Sequence, residues 1–175
     1  RTVKQRVHLD LEMGSLDAIL GVGATIVLPA SESGFRWSVL RDVEGGELCA
    51  FERDPFPADP PARLYELVVD TATAETATAQ AEWWSEVLGG TVGTDAAEGY
   101  AWVEDIPGVP FEGFAFVPVP EPKTVKNRIH WDITSDDVGE LTARGATVLA
   151  EPTETTRWHV LADREGNEFC VFASA

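Results

Sequence analysis

The residues best equipped for chemistry stand in two short stretches that nearly repeat each other. In RVHLD (6–10) and RIHWD (128–132), Arg, His and Asp occupy alternate positions. Alternate side chains of a β-strand share one face. Arg128, His130 and Asp132 therefore form an ionic stripe, with Ile129, Trp131 and Ile133 on the reverse. Further along, Glu168, Cys170 and Phe172 alternate in the same way, matched by Glu47, Cys49 and Phe51. By residue type, Cys170 and His130 could form a nucleophile–base pair. A thiol buried in mid-strand is not activated, however, and no oxyanion hole is legible. In the other reading His130 is hydrogen-bonded to its Asp or Arg neighbours and Cys170 is a small buried apolar residue.

These stripes belong to a long internal repeat. Shifted by 122 positions, Arg1 to Thr25 falls on Lys123 to Thr147; after one inserted residue, FRWSVLRDVEGGELCAF (35–51) falls on TRWHVLADREGNEFCVF (156–172). Each copy reads as strand, short helix (about 14–22 or 135–144), then three strands, the last two joined by a Gly-containing hairpin turn. The middle segment, 62–118, has the same order with different residues. Its helix, AETATAQAEWWSEVL, carries Ala77, Ala81, Trp84 and Leu88 on one stripe and stops at Gly89-Gly90. Trp84 reads as core; Trp83, off the stripe, reads as a contact with another domain. The Pro-rich stretch 52–61 reads as a linker, and PVPEPK (118–123) as a crossover within a domain.

RIHWDITSDD, GATVL and WHVLADREGNEFCVF resemble the vicinal-oxygen-chelate superfamily, which includes glyoxalases, bleomycin-resistance proteins and extradiol dioxygenases, in the tandem arrangement of actinobacterial proteins. The resemblance implies an α+β fold of paired βαβββ modules whose curved sheets enclose a cavity. On that basis 62–175 is expected to be one complete domain, with modules 62–118 and 119–175. Residues 1–51 are expected to be a half-domain, needing an upstream module or a second chain (a homodimer) to complete it. The chain begins at Arg1 rather than Met, as a fragment of a longer product would.

The resemblance also puts metal ligands on the first and last strands of each module. Carried across, these positions fall on Glu66, His130 and Cys170, with a fourth near Phe116 or Val117 that cannot ligate. An O, N and S donor set suits zinc better than magnesium or manganese. The departure at Cys170 favours a cavity without a cofactor, a divalent metal being the alternative. The expected pocket comprises Arg128, His130, Asp132, Trp158, Glu168, Cys170, Glu66 and Phe116. Trp158, like Trp37 in the first copy, supplies an aromatic wall suited to a flat or apolar ligand.

The formal net charge of -17 repels phosphate backbones and anionic lipid surfaces, which argues against nucleic acid and membrane as partners. No apolar run approaches the roughly 20 residues of a membrane span. Two widely spaced cysteines are not a disulfide framework, and the expected setting is the reducing cytoplasm. The expected function is binding of a small apolar or aromatic molecule. The alternatives are a metal-dependent lyase, isomerase or dioxygenase using Glu66 and His130, and a non-catalytic interaction domain.

Overall fold

The computed structural model describes residues 3–174; Arg1, Thr2 and Ala175, the outermost residues of the expected units 1–51 and 119–175, lie outside them. The first module runs β1 (Val7–Met13), α1 (Asp17–Leu20), β2 (Thr25–Leu28), α2 (Ala30–Ser33), β3 (Ser38–Arg41) and β4 (Glu47–Glu52). The middle module follows with β5 (Ala62–Thr71), α3 (Ala74–Leu88), β6 (Thr91–Asp95), β7 (Tyr100–Glu104) and β8 (Gly113–Pro118). The C-terminal module has β9 (Trp131–Thr134), α4 (Val138–Ala143), β10 (Thr147–Ala150), β11 (His159–Ala162) and β12 (Glu168–Phe172). The fold is α+β, and within each module the first strand runs parallel to the last.

The three modules do not pair as the sequence suggests. β1 and β5 run antiparallel side by side and fuse the first two modules into one sheet of order β2-β3-β4-β1-β5-β8-β7-β6. The C-terminal module forms its own sheet, β10-β11-β12-β9. The first module thus finds its sheet partner within the chain, contrary to the expectation that it lacks one. The physical reason is that one module has two ways of covering a neighbour. The middle module gives its strand edge to the first module and its helix to the last. The stretch 52–61 accordingly runs between two strands that flank β1 in a single sheet.

Helix α3 makes the second contact. Its N-cap Thr73 side chain accepts from the Thr76 amide, and the Thr76 hydroxyl oxygen accepts from the Thr73 amide, pairing donors that a helix end leaves free. Trp84 is fully buried, with ring centres 5.4 Å from Phe114, 5.2 Å from Trp131 and 5.0 Å from Phe169. Trp83 lies 6.2 Å from Phe169 and donates to the Arg144 carbonyl; the residue off the apolar stripe contacts the C-terminal module. Gln80 donates to the Asp163 carboxylate at 2.6 Å, inside a buried network with Asn167 and Asn127. One core therefore spans the middle and last modules, and Ile129, Trp131 and Ile133 pack against it as their alternation predicts.

Loss of a fully buried aromatic costs about 3–5 kcal/mol. Trp84→Ala is expected to lose that much in urea unfolding followed by far-UV circular dichroism. A loss below roughly 1 kcal/mol, the scale of a surface substitution, would contradict the shared core.

Candidate functional site

Pairing β1 with β5 sets two ionic strands against each other. His8 faces Val68 and Asp10 faces Glu66, while on the other side of β1 Asp10 aligns with Cys49. His8 Nδ1 lies 2.8 Å from Asp10 Oδ1. Donor atoms of His8, Asp10 and Cys49 all lie within 4.8 Å of one another. On β8 the neighbour of Glu66 is Gly113, where a Cβ would meet Glu66 Oε1 at 3.0 Å. A glycine there leaves the carboxylate room.

Most surrounding charges are already matched. Glu12 is held by Arg53 at 2.6 Å and by Arg63 at 2.6 Å. Burial raises its pKa, but bonds from both guanidinium groups outweigh that and lower it. Asp70 pairs with Lys4, and its carbonyl accepts from Arg6 at 2.8 Å. Among the described residues no cation is ion-paired to Glu66. Burial first, then the charges of Asp10 and Glu112, push its pKa from an ordinary 4.5 up to about 7. Burial pulls the His8 pKa down, but the bond to Asp10 and the charges of Asp10 and Asp70 raise it on balance. The Cys49 thiol is pushed far up by burial and by Asp10, so alone it is a protonated, unreactive group.

Aromatic rings line the wall beside this floor. Phe35 stacks on Trp37 at 4.6 Å, Trp37 meets Phe51 at 5.2 Å, and Phe51 meets Tyr65 edge-on at 5.3 Å. On the far side Tyr100 lies 5.5 Å from Trp102. Trp37, Tyr65, Tyr100 and Trp102 are only half-buried, and Phe35 is exposed.

The site expected from the sequence is divided between the two sheets. Glu66 stands opposite Asp10, whereas His130, Asp132 and Cys170 form a second cluster on the C-terminal sheet. Glu66 therefore does not join His130 and Cys170 in a ligand set. His130 is 41% exposed and 3.5 Å from Asp132, and Arg128 reaches out to Glu44 at 3.6 Å. Glu168 accepts from Lys123 and from the Asn127 amide, a structural role. Trp158 stacks on Phe172 at 5.3 Å, as Trp37 does on Phe51. Phe116 is fully buried on the core face of β8, 4.7 Å from Phe114. The inward-facing neighbour is Ala115, aligned with Val68. The strand reading misplaced the inward face there by one residue, and a single residue's shift exchanges the two faces of a strand.

Sequence reasoning left His8 and Cys49 without a partner and missed Tyr65, Tyr100, Trp102 and Glu112. The signal was present: the first copy keeps the whole His, Asp and Cys set, and a module with Glu66 on its opening strand follows at once. Tyr65 is the extra residue of a register shift between Asp10 and Leu11, which simple alternation does not reveal.

A glyoxalase-like domain family model matches residues 66–172. The match covers more than half of the chain, and the chain belongs to that family. No curated protein matches the chain by sequence. Among solved structures, a point mutant of glyoxalase I from Zea mays superposes at TM-score 0.59 and 13% identity, covering 95% of this chain and 67% of that one. Glyoxalase I from the same plant gives 0.55 and 13%, over 94% and 66%. A glyoxalase/bleomycin resistance protein/dioxygenase superfamily member from Sphaerobacter thermophilus gives 0.44 and 18%, over 63% and 95%. The chain spans about two thirds of the length of the maize enzyme. At these identities the likeness is one of fold.

A carboxyl whose folded pKa is raised stabilises the protein below its unfolded pKa and loses that contribution as pH rises through the folded value. The contribution of Glu66 therefore fades between about 4.5 and about 7. In chemical unfolding from pH 4 to pH 8, Glu66→Gln is expected to decline less with rising pH than the parent chain. Equal slopes would show that Glu66 is not held beside Asp10 away from water.

Proposed function

We propose that this chain binds a small aromatic or otherwise flat apolar molecule on the concave face of its eight-stranded sheet, over a floor of His8, Asp10, Cys49 and Glu66. The observation that carries this reading is the run of ring contacts from Phe35 through Trp37 and Phe51 to Tyr65, which ends beside Glu66. Stacked rings left half open to water offer apolar area and quadrupole complementarity to a further ring. The polar floor orients the ligand: His8 and a protonated Glu66 donate, and Asp10 accepts.

Titration with a panel of planar aromatic acids and phenols, followed by tryptophan fluorescence and by thermal shift, tests the proposal. At least one compound is expected to quench fluorescence and raise the melting temperature, with affinity falling roughly tenfold or more in Trp37→Ala, the scale of a lost aromatic anchor. A panel without effect, or equal affinity in the variant, would refute it.

A second reading follows from the donor set. An imidazole nitrogen, a thiol sulfur and a carboxylate within 4.8 Å of one another suit a borderline-soft divalent cation such as zinc. His8, Asp10 and Cys49 would hold the ion, with Glu66 opposite, and the ion would supply Lewis-acid polarisation of a ligand oxygen. The facing carboxyls of Asp10 and Glu66, with no cation paired to Glu66 among the described residues, favour this reading. Under it, one zinc per chain survives dialysis and is lost in His8→Ala by elemental analysis. Metal-free protein that binds the aromatic probe equally well leaves the first reading standing alone.

A further inference from the structure

Acidic residues outnumber basic ones by 30 to 13 in this chain, so a hollow whose charged lining is wholly basic stands out from its surroundings. One such hollow, of about 250 Å³, lies where the stretches leading into β1 and β9 approach each other. Lys4, Arg6, Lys126 and Arg128 line it, and no acidic side chain does so among the described residues. The repeat explains the concentration. At the shift of 122 positions, Val3, Lys4 and Arg6 fall on Val125, Lys126 and Arg128. Both copies contribute to one hollow, and each positive charge is thereby doubled.

Few acids answer these cations. Lys4 is ion-paired with Asp70. Arg6 is 7% exposed, and its guanidinium donates to two neutral acceptors, the carbonyls of Asp70 and Glu121. Its Nε has no hydrogen-bond partner among the described residues. The Asp70 carboxylate feels the charge of both Lys4 and Arg6, so one acid serves two cations. A buried guanidinium bonded only to carbonyl dipoles is costly unless an anion offsets its charge. In the second copy Lys126 is exposed and has no ion pair among the described residues. Arg128 meets Glu44 at 3.6 Å with both side chains largely in water, a contact worth little. Acids stand in the adjoining hollow instead, which shares Val3 and Lys4 but is bordered by Glu47 and Glu121.

The basic hollow is apolar as well. Val3, Val125 and Pro122 are part of its lining, and the two valines are 45% and 52% exposed. We infer that this hollow is a second binding site, which takes a small organic anion made of a phosphate or carboxylate on a short aliphatic body. It shares no residue with the floor of His8, Asp10, Cys49 and Glu66. The oxyanion lies against the cations, where Lys126 and Arg128 can donate to it and the charge of Arg6 stands behind them. The aliphatic part covers the two valines. The net charge of -17 sets a limit on size. It repels an extended polyanion, but at physiological salt that repulsion is screened beyond roughly 8 Å, so a small anion answers to the local cations. Because one wall comes from the first module and the other from the stretch ahead of β9, a bound anion also bridges the two copies of the repeat.

Titration of the isotope-labelled chain with butyl phosphate and with butyrate, followed by amide shifts in NMR, tests the inference. Neither probe has a ring to stack on Trp37, so the two sites are read separately. At least one probe is expected to shift the amides of residues 4–7 and 125–128 in a saturable way, with a Kd of about 1 mM or tighter. Butyl phosphate should bind more tightly than inorganic phosphate. Lys126→Gln combined with Arg128→Gln changes only exposed side chains and so keeps the fold. It should weaken binding by about tenfold or more, the scale of a lost bond to a charged group. Affinity should also fall as sodium chloride is raised. Absence of a saturable shift at these amides with both probes would overturn the inference. So would equal affinity in the double variant or at high salt, or inorganic phosphate binding as tightly as butyl phosphate.

Discussion

The candidate site on the eight-stranded sheet depends on the antiparallel contact between β1 and β5. Without it the first two modules would be separate four-stranded sheets. With it, eight strands form one surface, and Asp10 and Glu66, 56 positions apart in the numbering, become cross-strand neighbours. That juxtaposition is electrostatically unfavourable. Burial first, and then the facing Asp10 carboxylate, raise the cost of ionising Glu66, which pushes its pKa from 4.5 up to about 7. The matched pairs around it, Glu12 with two arginines and Asp70 with Lys4, show that the sheet can neutralise an acid where a cation stands beside it. A group left poised in such company suits a ligand or ion that arrives from outside.

Helix α3 bears on the site only indirectly. Its tryptophans press on Phe114 from below and on Phe169 from the other side. This fixes β8, and with it Gly113 and the space that Glu66 occupies. Because the middle module gives its strand to one neighbour and its helix to the other, the two modules of the repeat are left in complementary states. The first shares its sheet with the middle module and has a small core of its own around Leu40 and Ala50. The other has its helix side covered by α3 and its β9 at a sheet edge among the described residues.

Much of this was legible in the sequence. Periodicity placed α3 to the residue, since its apolar stripe and terminal glycines agree. The repeat revealed two copies of one module, and the alternation at 128–133 assigned the ionic and apolar faces correctly. Two things were not legible. Hydrophobic patterning says that a strand edge or helix face must be covered but not by which neighbour, so pairing by chain order put the cavity between the middle and last modules. The shift that inserts Tyr65 and the one-residue placement of Phe116 were hidden too, because β8 carries apolar residues on both faces (Phe114, Ala115, Phe116, Val117) and shows no alternation to read. Pairing by chain order grouped Glu66 with His130 and Cys170, whereas Glu66 stands opposite Asp10 on the other sheet.

The central claim is that residues 7–13 and 62–71 are hydrogen-bonded neighbours. Proton NMR of the labelled chain addresses it directly, through nuclear Overhauser contacts between backbone protons of facing residues. The structure predicts cross-strand contacts for Asp10 with Glu66 and for His8 with Val68. Their absence, or contacts from β1 to β9 in their place, would contradict the composite sheet and the site built on it.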